Sequence, residues 1–144
     1  MSIQDVRGKL NGSSIREFVE KSFAAWESLN VDNFTPFFRR AAQDRYFHLD
    51  STDYHDWSEY RRAAQQFMNR YSSLKINITD ARVFQEGKVV YAAFCFATEE
   101  VFREGKADSR EGRYTGVLLR SGSSWQIVHE QWSLPIRAAG WENY

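Results

Sequence analysis

Apolar residues recur along the chain at two different periods, and the change from one to the other divides it. Ile15, Phe18, Val19, Ser22, Trp26 and Leu29 fall three and four apart, the spacing of one helix face. Ser14 and Glu17 have capping-box spacing, which places the start of that helix at Ser14. Asn30 to Asn33 breaks the stripe. "NFTPFFRRAA" predicts a short second helix, with Pro36 tolerated in its first turn and Phe34, Phe37 and Phe38 as its packing face. "RYFHL" is rich in aromatics and has no helical period, so a strand is expected there. Asp56 and Glu59 form a second capping box, with His55 and Tyr60 placed as a hydrophobic staple. Trp57, Tyr60, Ala64, Phe67, Met68 and Tyr71 then run down one side of a third helix.

From Leu74 the period becomes two: Leu74, Ile76 and Ile78 alternate with Lys75, Asn77 and Thr79. "QEGK" predicts a turn, and "KVVYAAFCFATEEVF" a long strand buried on both sides at its middle, with Cys95 as a small buried hydrophobe. "REGKADSREG" predicts a polar loop and mobile lip. "RYTGVLLR", the turn "SGSS" and "WQIVHEQWSL" predict a hairpin ended by Pro135. Helices grouped before a meander of antiparallel strands define an α+β layer, with helices on one face of a curved sheet. Residues 1–144 contain no internal repeat or linker-like stretch and form a single domain, with its core over about residues 13–136.

Composition sharpens this picture in one respect. Of the 144 residues 16% are aromatic, which raises the expectation of an apolar pocket or a subunit interface. The 19 basic and 19 acidic side chains cancel, and no basic block exceeds a pair, so nucleic-acid binding is not expected. One cysteine excludes an intramolecular disulfide. The polar start and the lack of a long apolar run point away from a membrane and towards a cytoplasmic protein.

"GRYTGVLLRSGSSWQIVHEQWSLP", Gly112 to Pro135, resembles the closing hairpin of the nuclear transport factor 2-like superfamily. It is most similar to the SnoaL-like, ketosteroid isomerase-related branch, which also contains the association domain of calmodulin-dependent kinases. The order of elements extends the likeness across residues 13–136. The resemblance implies a cone: a strongly curved antiparallel sheet with N-terminal helices over its concave face, an apolar pocket at the mouth, and a homodimer paired through the sheet. The superfamily contains isomerases, dehydratases and pure oligomerisation modules, so function has to come from the site itself.

The "SGSS" turn sets an expected register. If Arg120 flanks it opposite Trp125, then Leu118 opposes Ile127, Gly116 opposes His129 and Tyr114 opposes Gln131. Arg113, Thr115 and Val117, against Trp132, Glu130 and Val128, share the other face, with Arg113 and Glu130 expected as a structural pair. A one-residue slip exchanges the faces, so the pattern leaves open which one looks into the cone. The family's second histidine is replaced by Gln131, which cannot shuttle a proton near neutral pH. The positions matching the kinase domains' cavity arginines are near Ala93 and Gly116, which argues against a carboxylate-binding pocket. The expected ligand contacts are Trp26, Tyr91, Tyr114, His129 and Gln131, with His129 equally placed to serve a dimer interface.

"RYFHLDSTDYHDW", Arg45 to Trp57, holds two of the three histidines and three aspartates. Tyr46, His48 and Asp50 lie two apart in a strand and leave by one face. In ketosteroid isomerase relatives the catalytic aspartate comes from this region and works with a tyrosine donor. By that resemblance His48 or Asp50 is the expected base and Tyr46 the donor for proton abstraction beside a carbonyl. An alternative makes Asp50 to Asp53 a solvated turn. Three histidines without metal-binding spacing predict no metal, and the chemistry needs no cofactor. The reading is therefore a pocket for a small, largely apolar organic ligand, with isomerase or dehydratase chemistry or, alternatively, a non-catalytic ligand-binding or association module.

Overall fold

The computed structural model describes residues 12–49 and 52–135. Helix α1 spans Gly12–Glu27, α2 Val31–Phe34, and a 3-10 turn Thr35–Phe37 follows. Strand β1 is Arg45–Phe47 and helix α3 is Trp57–Met68. Four longer strands complete the chain: β2 Tyr71–Glu86, β3 Val89–Phe102, β4 Ala107–Ser121 and β5 Ser124–Ser133. They form one curled sheet in the order β1-β5-β4-β3-β2 with the helices N-terminal to it, the expected α+β cone. The sheet is mixed rather than wholly antiparallel, because β1 enters parallel to β5 and pairs Tyr46 with Glu130.

The periodic stripe of α1 buries Ile15, Val19, Ser22 and Trp26, and Phe23 joins them. The Ser22 hydroxyl is satisfied within the helix by donating to the Val19 carbonyl at 2.7 Å. The helix begins at Gly12, ahead of the expected start at Ser14. The second helix is shorter than expected. At Phe38 the backbone becomes extended, and the Arg39 amide donates to the Ile127 carbonyl at 3.0 Å, so this segment docks on β5 instead of coiling on. The capping box of α3 is as the sequence indicates: the Glu59 amide donates to Asp56 Oδ1 at 2.9 Å and the Asp56 amide to Glu59 Oε1 at 3.1 Å.

The segment expected as a polar loop is mostly strand. β3 and β4 pair as far as Val101 opposite Ala107, leaving only residues 103–106 as the turn. Its charged side chains solvate a strand end rather than interrupt it. β3 also alternates instead of being buried on both sides: Val90, Ala92, Phe94 and Phe96 face the helices, whereas Cys95 is exposed on the outer face opposite Arg113.

Three irregularities interrupt the sheet. In β2 the pairing with β3 slips between Tyr71 and Ser73 and again between Ile78 and Asp80, and in β5 the pairing with β4 slips at Val128. Each is a β-bulge, which adds a residue to one strand and bends it. The concave side then fills with rings, among them Phe23, Phe94, Tyr114 and Trp132, with centroids 4.8–5.8 Å apart. Gly116 makes room for this. A Cβ there would lie 2.6 Å from the Tyr114 hydroxyl oxygen.

Candidate functional site

The bulge at Val128 decides which side chains of β5 enter the cone. Arg120 pairs with Trp125 and Leu118 with Ile127, as the turn predicts. Beyond the bulge Val117 pairs with His129, Gly116 with Glu130, Thr115 with Gln131 and Tyr114 with Trp132. Glu130 and Trp132 therefore point inward with Tyr114, and His129 and Gln131 point outward. The expected pairing of Arg113 with Glu130 does not form; Arg113 stands opposite Ser133.

Glu130 is 1% exposed and accepts three hydrogen bonds. The Tyr60 hydroxyl donates to Oε2 at 2.5 Å, the Trp132 indole N–H to Oε2 at 3.0 Å, and the Tyr114 hydroxyl to Oε1 at 2.8 Å. Burial pushes the carboxyl above the ordinary carboxylate range, while the Tyr60, Trp132 and Tyr114 donors pull it back. Burial first, and the adjoining Glu130 charge second, hold Tyr60 and Tyr114 well above the usual phenol range. These groups form a closed cluster in which every donor is a neutral group. Glu130 was not among the residues singled out by sequence, but a signal was present. Trp125 and Ile127 are odd-numbered and Trp132 is even, so on a regular strand these three apolar side chains cannot share a face. A bulge between them resolves the conflict and carries Glu130 inward.

Trp132 connects this cluster to a cavity of about 30 Å³, enough for one or two waters. Its walls are Trp26 from α1, Phe67 from α3, Leu74 and Ile76 from β2, Phe96 and Thr98 from β3, Trp132 from β5, and His48 with Leu49 after β1. His48 is 3% exposed, with its ring 5.2 Å from Phe67, 6.0 Å from Tyr60 and 6.1 Å from Trp26. Thr98 donates its hydroxyl to Glu100 at 2.9 Å, and Glu100 in turn meets Arg110 at 3.4 Å. A larger cleft of about 430 Å³ between α1 and the β4–β5 turn is an open surface feature flanked by the exposed Glu17 and Lys21.

The expected site residues thus separate. Trp26 and His48 meet in the cavity. Tyr46 leaves the sheet on the same side as His48 but stacks on Tyr60 at 4.9 Å, outside the cavity lining, and its hydroxyl is buried with no partner among the described residues. Its burial and the nearby charges of Asp44 and Glu130 raise its pKa. Asp50 lies outside the described residues. Tyr114 is inside, held by Glu130. Tyr91 is 44% exposed on the outer face beside Phe84, and Gln131 is exposed on that face too. His129 Nδ1 lies 2.8 Å from the Arg45 carbonyl oxygen at the sheet's β1 edge. The bulge is the physical reason that His129 and Gln131 are absent from the pocket; for Tyr91 it is simple strand alternation. Among the described residues no group of three or more metal-ligating side chains converges.

A curled α+β sheet closed over by helices is also what similar structures contain. A nuclear transport factor 2-like protein from Salmonella enterica matches with a TM-score of 0.78 at 18% identity, covering 92% of this chain and 96% of that one. The association domain of the Caenorhabditis elegans calmodulin-dependent kinase II matches at 0.71 and 15% identity, over 89% and 98%. A Streptomyces avermitilis protein of the same fold, provisionally labelled a dehydratase, matches at 0.77 and 12% identity, over 86% and 95%. At these identities the likeness establishes the nuclear transport factor 2-like fold. The family model of the SnoaL-like domain matches residues 15–137, and the chain belongs to that family. No curated protein is significantly similar to it in sequence.

Proposed function

We propose that the protein binds a small, largely apolar organic molecule at the cavity between Trp26, His48, Phe67 and Trp132, with part of the molecule entering it. The observation that carries this reading is His48: among the described residues it is the ionisable side chain in a lining that is otherwise apolar apart from Thr98. An imidazole suits proton transfer because it can both accept and donate a proton, and the aromatic rings around His48 largely exclude water. The reaction class is an isomerisation or dehydration without a cofactor. His48 takes a proton from a carbon beside a carbonyl and returns it elsewhere, and Asp50, two residues on, is the second candidate for that base. The dehydratase label of the Streptomyces neighbour points the same way.

The experiment is a thermal-shift screen of small aromatic and alicyclic molecules, followed by solvent deuterium exchange of the hits observed by NMR. The wild-type protein is expected to catalyse exchange at a carbon-bound hydrogen, and His48→Ala to slow it by about 100-fold or more. Exchange at equal rates in the two proteins contradicts the role given to His48.

The outer face of the sheet suits a second task. Phe84, Val89 and Tyr91 form an exposed apolar strip, with relative exposures of 40%, 43% and 44%. We propose that two copies pair through it, with His129 on the same side, as the likeness to a kinase association domain suggests. Sedimentation is expected to give twice the chain mass at micromolar concentration, and Tyr91→Arg to halve it; a wild-type monomer refutes the pairing.

A further inference from the structure

The proposed pocket has an electrostatic character that its apolar lining conceals. We infer that its preferred ligand is an organic cation, a small ammonium carried on an apolar body, with the charged end entering the cavity. This inference rests on the pocket reading but not on any reaction.

Three observations lead to it. First, the walls are aromatic: Trp26, Phe67 and Trp132 all line the cavity, and Trp26 and Trp132 meet edge to face with centroids 5.4 Å apart. Indole is the strongest aromatic partner for a cation, and desolvation strengthens the attraction. Second, the Trp132 N–H donates to Glu130 Oε2 at 3.0 Å. A hydrogen bond to a carboxylate pushes electron density into the indole ring, so the ring that lines the cavity becomes more negative. Third, Glu130 is a buried acid whose partners, Tyr60, Tyr114 and Trp132, are all neutral donors. A carboxylate accepts all three donors, and in its ionised form it sets a negative charge behind the aromatic wall with its field poorly screened. The other buried carboxylate of this region, Glu100, is matched by Arg110. Among the described residues the cavity lining holds no lysine or arginine, which leaves the His48 imidazole as its one basic group.

Size narrows the class further. A cavity of about 30 Å³ admits a head group but not a ring. A primary ammonium fits, and its N–H groups find acceptors in the π systems of the indole rings. The rest of the ligand then lies across the mouth.

The test uses three molecules of one shape at pH 7: benzylamine, which is protonated there, benzyl alcohol and benzoate. Each is titrated into the full chain with the Trp indole N–H resonances as readout. Benzylammonium is expected to bind about fivefold more tightly than benzyl alcohol, with benzoate weakest. Glu130→Gln keeps an acceptor for Tyr60 and Trp132 while removing the charge, so it is expected to bring the amine to within about twofold of the alcohol. Trp132→Phe, which keeps a ring but loses the N–H, is expected to do the same if the first variant does not fold. Alcohol binding as tightly as amine in the wild-type protein, or an amine preference that survives both substitutions, overturns the inference and leaves the pocket standing. If none of the three binds, the pocket reading falls with it.

Discussion

Glu130→Ala is expected to destabilise the protein by about 3 kcal/mol, whereas Glu130→Gln changes it by less than about 1 kcal/mol. Alanine strands the Tyr60 and Tyr114 hydroxyls and the Trp132 indole N–H, all of which donate to this one carboxylate. Each buried donor left unsatisfied costs about 1–3 kcal/mol, offset in part by water entering the space and by loss of a buried charge. Glutamine keeps a partner for each of the three residues. Its carbonyl oxygen takes the place of Oε2 for Tyr60 and Trp132, and its amide donates to the Tyr114 hydroxyl oxygen; the hydroxyl hydrogen that loses its acceptor is offset by removal of the buried carboxylate. Against a total stability of about 5–15 kcal/mol the alanine variant loses a large share, seen as a fall of roughly 10 °C in the thermal midpoint. Equal losses for the two variants would mean that volume, not hydrogen bonding, is what position 130 supplies.

The same residue sets a pH dependence. Its folded-state pKa lies above the ordinary value of 4.5 because of burial. Between those two values the folded state binds more protons than the unfolded chain, so stability falls as pH rises through that window and levels off above the raised pKa. Glu130→Gln lacks the term. The stability difference, wild type minus Glu130→Gln, is therefore expected to decrease from pH 4.5 upward, measured by urea unfolding across the range. A difference that stays flat or rises contradicts the burial of this acid.

Trp26→Ala is expected to cost about 3–5 kcal/mol, the usual range for deleting a buried indole. Trp26 is 4% exposed, and its ring meets Phe34 at 4.9 Å, Trp132 at 5.4 Å, Phe67 at 6.0 Å, His48 at 6.1 Å and Tyr60 at 6.5 Å. These partners come from three elements and the segment after β1, held together in part by this one side chain, so they cannot all close on the void. The space left behind adjoins the existing cavity and is apolar. Added indole is therefore expected to bind there and restore several degrees of the lost thermal midpoint, while giving the wild-type protein much less. No selective rescue would show that the cavity and Trp26 are not contiguous in solution, or that the interior collapses.

The elements were legible wherever the determining interactions are local. The Asp56–Glu59 capping box and the turn that pairs Arg120 with Trp125 follow from residues a few positions apart. What the pattern did not show directly is where a strand changes face. In β2, Leu74, Ile76 and Ile78 are even-numbered while the inward Ala81 and Val83 are odd, and the bulge beside Thr79 lies between them. In β5 the same switch separates Ile127 from Trp132. A period-two reading carried through either bulge assigns the wrong side chains to the interior, and it placed His129 and Gln131 in the pocket where Glu130 and Trp132 belong. The curl of the sheet depends on those bulges, so the feature that shapes the cone is also the one that obscured its contents. The parallel entry of β1 was hidden for another reason. It depends on the tertiary bridge from Tyr46 to Glu130, across more than half of the chain.

The ligand site is tested most directly by intermolecular NOEs, collected with a hit from the thermal-shift screen and selectively labelled Trp and His side chains. The account predicts contacts from the bound molecule to the Trp26 and Trp132 rings and to His48, with none to Tyr91 or His129. Contacts confined to Tyr91, Phe84 and His129 on the outer face, with the interior rings unperturbed, would contradict it.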